Sequence, residues 1–122
     1  MTVARKLQIP HASTVVVLGS PTGVDLEIPG DCVVLSDAAD APQGQAVVSF
    51  VVRADDLDVV AGPAITAALE DRLAWIAYPK SRQLGTDLNR DILAGLVGPR
   101  GAQPVRSVSI DGVWSALRFR PL

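Results

Sequence analysis

Apolar and polar positions follow two different periods along this chain, and the points where the period changes mark out its elements. Ser13–Pro21 (STVVVLGSP), Cys32–Asp37 (CVVLSD) and Gln45–Arg53 (QAVVSFVVR) are continuous β-branched runs bounded by turn residues. They lack the in–out alternation of a half-solvated strand, which is the pattern of strands covered on both faces. After Arg53 the period lengthens. Leu57, Val60, Ala61, Ala64, Ile65, Ala68 and Leu69 recur at helical spacing, with Asp55 and Asp56 in the favourable first turn. Gly62-Pro63 interrupts this segment and predicts a kink, or two short helices sharing one apolar face.

Arg72–Pro79 (RLAWIAYP) reads as a fourth strand. Thr86 is placed to cap a helix over 87–97 with the stripe Leu88, Ile92, Leu96 and Val97, which Gly98-Pro99 stops. A short helical turn fits residues 3–8. At the C-terminal end Asp111-Gly112 separates two strand-like runs, the strongest short-range signal for a hairpin. Beyond it Val113, Ser115, Leu117 and Phe119 point to one face, and Trp114, Ala116, Arg118 and Arg120 to the other, as in a half-exposed strand. Buried strands alternating with helices and closed by a hairpin define an α/β class. The expected fold is a small Rossmann-like three-layer sheet, mostly parallel, ending in an antiparallel β-hairpin, with residues 1–122 as one domain. That ending resembles the sheet of the S-adenosylmethionine-dependent methyltransferases.

Composition narrows the chemistry. Hydrophobic residues make up 48% of the chain but aromatics only 4%, so its apolar character comes from Ala, Val and Leu. No apolar run approaches the roughly 20 residues of a membrane span. The opening MTVARKLQIPHAS lacks the apolar stretch of a signal peptide, so a cytoplasmic location and no membrane partner are expected. One cysteine, Cys32, leaves no internal disulfide, and one histidine, His11, argues against a zinc site within one chain. Ser-His-Asp and Cys-His schemes would all need His11 as their base. Up to residue 71 three bases face ten acids, and beyond it eight bases face three. That asymmetry describes an anion-binding face, or two halves whose charges mix in one sheet. Five aromatics and a net charge of −2 argue against nucleic-acid binding.

In open parallel sheets ligands bind beyond the carboxyl ends of the strands. That rule selects Ser20 and Thr22 after the first strand, Asp37 after the second, Arg53 after the third, and Tyr78 and Lys80 after the fourth. It adds Asp87 at the mouth of the following helix, and Asp111 and Trp114 at the hairpin turn. Arg118 and Arg120 read as charged guards on an edge strand. Gly19–Gly23 (GSPTG) with Asp37 as the ribose acid would make a nucleotide turn. The missing middle glycine, and a following segment too short for a full helix, weigh against phosphate there. S-adenosylmethionine, which carries no phosphate, is the cofactor left open. Lys80, with the amides of the next helix, could hold a carboxylate or phosphate; equally, it could pair with Asp87 or Asp91. Trp114 could stack on a planar ligand with Ser115 donating a hydrogen bond, or could simply pack.

LAWIAYPKS, TDLNRDIL and VSIDGVWSALRFRP, in that order, together with the opening ARKLQIPHASTVVVLGSPTG, resemble domain-of-unknown-function family 3052, a family of uncharacterised bacterial proteins. The resemblance implies a compact Rossmann-like fold and a cytoplasmic protein, and supplies no catalytic residues. Two clear helices are sparse cover for about six strands, so some apolar surface is expected to be left for another subunit. The function expected is therefore a non-catalytic, self-associating (dimeric) module that binds a partner protein or a small anionic ligand. The alternative is a small enzyme, or enzyme remnant, of the S-adenosylmethionine-dependent methyltransferase type.

Overall fold

A computed structural model describes Met1–Leu122. Its strands are β1 (Thr14–Leu18), β2 (Val33–Leu35), β3 (Ala46–Phe50), β4 (Leu73–Pro79), β5 (Ala102–Ser109) and β6 (Trp114–Pro121). They form one six-stranded sheet in the order β2-β1-β3-β4-β6-β5. The strands β1 to β4 run parallel, β6 is antiparallel to β4, and β5 is antiparallel to β6. This is the mostly parallel α/β sheet closed by a hairpin that the hydrophobic pattern predicts.

The continuous apolar runs are explained by a core on each face. On one face Val16, Val47, Ile76, Leu117 and Phe119 pack against α2 (Gly62–Leu69) and α3 (Arg90–Val97). On the other, Val15, Val48, Trp75 and Ala116 pack against α1 (Val3–Lys6) and Leu26 of the long β1–β2 connection. The Trp75 indole Nε1 donates to the Leu7 carbonyl (2.9 Å), which fixes the end of α1 to the middle of the sheet. No helix is long and apolar enough to cross a membrane.

The segment after β3 resolves as a 3₁₀ turn (Ala54–Asp56), a π-helical turn (Leu57–Ala61) and then α2. Gly62-Pro63 opens α2 rather than breaking it, because proline in a first helical turn lacks only a donor that has no intrahelical acceptor there. The next helix begins later than its pattern suggests. Asn89, not Thr86, caps α3, its Oδ1 accepting from the Ile92 amide (2.8 Å). The later start rotates the buried stripe. Leu93 and Val97 are fully buried while Ile92 is 45% exposed, so Leu93 takes the core position expected of Ile92.

Two strands sit elsewhere than their patterns imply. β2, read as covered on both faces, is a three-residue edge strand whose Val33 and Val34 are more than half exposed. β6, read as half-exposed, lies inside the sheet, and β5 forms the second edge. Arg118 and Arg120 are therefore not edge guards. Arg118 donates from Nη1 to Gln8 Oε1 (2.8 Å), and Arg120 grips Asp71 through two bonds of 2.9 and 3.1 Å. The edge is guarded by β5 itself, with Pro104, a register shift after it, and Arg106.

Candidate functional site

At the carboxyl end of β4, Pro79 withholds a ladder donor and the chain enters the loop Lys80–Asn89. Ser81, Arg82, Leu84 and Gly85 in this loop all have positive φ (48°, 60°, 56° and 68°). Only Gly85 adopts that conformation without strain; for the other three the surroundings must hold it. Two sets of bonds do so.

On the hairpin side the Lys80 amide donates to Val113 O (2.7 Å), and its ammonium to Ser109 Oγ and Asp111 O, both at 2.5 Å. Gln83 Nε2 donates to Gly112 O (3.1 Å). On the other side Arg53 donates to Gly85 O (2.8 Å) and faces Asp87 at 3.5 Å, while Asp87 Oδ1 accepts from the Ala54 amide (2.8 Å). The buried Thr86 hydroxyl completes this side, donating to Val52 O and accepting from the Leu88 amide. Lys80 thus pairs with neither Asp87 nor Asp91; Arg53 holds Asp87 instead.

Held from both sides, the loop and the start of α3 enclose a cleft of about 530 Å³. Ser81, Arg82, Asp87, Asn89 and Ile92 line it. Arg82 is exposed there and makes no ion pair. A guanidinium beside hydroxyl and amide groups, with the Asp87 carboxylate balanced by Arg53 and the Ala54 amide, suits a carboxylate or phosphate, which Arg binds with paired, charge-assisted hydrogen bonds. Sequence reasoning reached this loop through Lys80 and missed Arg82. The signal available was a second cation two residues on, but the left-handed backbone that turns it to the cleft leaves no mark in residue type.

The other selected residues are dispersed. Thr22 and Trp114 do meet, in a shallow depression shared with Leu84 and Asp111. Trp114 is only 3% exposed, and its ring stands edge-on to Phe50 at 5.1 Å, so the indole packs there rather than presenting a free face. Asp111 Oδ1 accepts from the Val113 and Trp114 amides (both 2.8 Å) and shapes the hairpin turn. Tyr78 is buried against the α3 face, and burial pushes its phenol pKa up, opposed in part by the facing Ser115 hydroxyl.

Asp37 lies beyond β2, where its carboxylate accepts from the Ala39 amide (2.9 Å) and caps the 3₁₀ segment Ala38–Gln43. Ser20 borders an apolar groove with Val24, Leu26 and Val34. Gly19 has φ of +67°, and a Cβ there would lie 2.8 Å from the Phe50 carbonyl oxygen. Its glycine thus serves a close passage of the chain against the end of β3. Cys32 Sγ donates to Pro10 O (3.3 Å), and exposed His11 sits 3.3 Å from Asp31. No family model matches the chain, and no curated protein matches its sequence.

Proposed function

We propose that the protein is a non-catalytic, cytoplasmic, self-associating α/β module that binds a small anionic ligand or a partner protein, with the anion seated in the cleft above α3. The observation that carries this reading is Arg82, a cation free of ion pairs just beyond the carboxyl end of β4, the end of the sheet where α/β folds take their ligands. Self-association is supported by apolar side chains left open on the helical layer, among them Leu69 (48% exposed) and Ile92 (45%). Kinship with domain-of-unknown-function family 3052 belongs to the same proposal and rests on the segments LAWIAYPKS, TDLNRDIL and VSIDGVWSALRFRP with the opening ARKLQIPHASTVVVLGSPTG. The methyltransferase-type alternative needs Gly19 and Asp37 to serve one ligand. No observation favours it, since Asp37 caps a 3₁₀ segment and Gly19 is pressed against Phe50 O.

Titration with inorganic phosphate, followed by calorimetry, tests the anion site. An Arg–anion pair worth about 1.5–3 kcal/mol makes Arg82→Gln bind roughly ten- to a hundredfold more weakly. Lys80→Gln, whose ammonium is engaged by the hairpin, has a smaller effect. Equal affinity of Arg82→Gln and the unaltered protein overturns the site. Native mass spectrometry of the same samples reports the subunit number.

A further inference from the structure

The two edges of the sheet are finished differently. β5 carries a proline, a register shift and Arg106, all devices that keep an edge from pairing with another strand. β2 carries none of these three; its one protection is its length, only Val33, Val34 and Leu35, and it ends the sheet with no strand on its outer side. The Val33 amide donates inward to Ser13 O (3.0 Å). Along a strand these groups alternate in direction, so Val34 turns its N–H and C=O outward, away from β1.

The flank of this edge is apolar. Val34 is 51% exposed and forms one wall of a groove of about 220 Å³ with Val17, Val24, Leu26 and Ile28. Its surroundings are acidic. Residues 20–52 contain Asp25, Glu27, Asp31, Asp37 and Asp40 and not one Lys or Arg. None of these five carboxylates has a Lys or Arg within ion-pair distance; Asp31 faces His11 alone. Asp31 and Asp37 bracket the strand.

We infer that the open edge of β2 is a docking edge for an extended segment of a partner protein, with an apolar side chain seated in the groove and Lys or Arg on either side of it. Backbone bonds to Val34 supply register, the groove takes the alternate side chain, and Asp31 and Asp37 select cationic partners. A second copy of this chain fits poorly. Antiparallel β2–β2 pairing brings Asp31 of one copy against Asp37 of the other, and the β5 edge is closed by its proline. The inference uses the edge of the sheet opposite the hairpin and does not depend on the Arg82 cleft.

A capped hexapeptide alternating lysine and valine, labelled for fluorescence anisotropy, is the probe, with the glutamate–valine hexapeptide as control. The lysine probe is expected to bind at least tenfold more tightly than the glutamate probe, and less tightly as salt is raised. Val34→Pro deletes the one outward donor without touching the ladder to β1. It should weaken the lysine probe at least tenfold while the circular-dichroism melt shows a folded protein. Should that variant not fold, Asp31→Asn with Asp37→Asn keeps the cap to Ala39, removes two charges, and is expected to bind about fivefold more weakly with a shallower salt dependence. Lysine-probe affinity undiminished in a folded Val34→Pro, or in the double variant where Val34→Pro does not fold, overturns the inference. So does equal affinity for both probes, or a dimer that Val34→Pro dissociates, which would assign the edge to a second copy.

Discussion

Thr86→Val asks whether the strained loop is held by the bonds assigned to it. The side chain is 7% exposed, and its hydroxyl serves two partners at once, the Val52 carbonyl and the Leu88 amide. Valine keeps the volume and removes both bonds. A buried polar group left without a partner costs about 1–3 kcal/mol. Leu88 is buried and should sit well inside that range, whereas Val52 is half-buried and water can partly replace its donor. Exchanging a hydroxyl for a methyl in an apolar site returns about 1 kcal/mol. The balance is a loss of about 2 kcal/mol.

For a domain of this size that loss lowers Tm by roughly 6–10 °C. Circular-dichroism melts at neutral pH read it directly. Thr86→Ser keeps the hydroxyl and gives up only a methyl, so it should melt between the other two. Phosphate affinity should fall in Thr86→Val even though Arg82 is intact, because the backbone that aims Arg82 loosens. A Thr86→Val melt within about 1 °C of the unaltered protein refutes the reasoning; so does a serine variant that melts as low as the valine one.

Two further outcomes test other parts of the structure. Gly19→Ala combines a left-handed φ with a Cβ driven to 2.8 Å from Phe50 O, so a loss of about 2 kcal/mol or more is expected in urea unfolding; unchanged stability would falsify the close passage of that loop. The carboxyls of Asp58 and Asp71 are held below their ordinary value by hydrogen bonds from Arg100 and Arg120, each supported by the guanidinium charge. The unfolded chain therefore takes up these protons at higher pH than the native one. The stability from both pairs is complete above the ordinary carboxylate value and is lost as pH falls through the depressed native values. Melts between pH 7 and 2 should show that acid limb, and Asp58→Asn with Asp71→Asn should flatten it; an identical limb in the double variant removes the assignment.

The strands were legible because a strand buried on both faces is apolar along nearly its whole length, as Val15–Leu18 is throughout and Ala46–Phe50 is but for Ser49. The hairpin was legible in Asp111-Gly112. A strand's place in the sheet was not. Val33-Val34 reads the same at an edge as in the middle, and Arg118 reads as a surface charge although its strand is internal. Side-chain type reports how much apolar surface an element carries, whereas strand order depends on which partners the rest of the chain supplies. The start of α3 was misjudged for a related reason: Thr86 is a good capping residue by type, but Val52 O and Leu88 N claim its hydroxyl, and Asn89 takes the role. The candidate site was legible as a region and not as a residue, since the backbone conformation that separates Lys80 from Arg82 is imposed by contacts with the hairpin.

The internal position of β6 also sets the order in which the protein can mature during synthesis. A ribosome that has released the chain through β4 has produced four parallel strands whose outer member, with Trp75 and Ile76, still has an open flank. Its proper neighbour is the last strand in the chain, some 35 residues later in sequence. At translation speeds of about 5–20 residues per second, that flank stays uncovered for seconds. Lys6 and Gln8 likewise gain their bonds to Ser109 and Arg118 only when the C-terminal strands arrive, although Trp75 has by then tied Leu7 to the sheet. A chain that stops shortly before residue 114 is therefore expected to leave β4 without its antiparallel neighbour and the flank beside Trp75 and Ile76 uncovered.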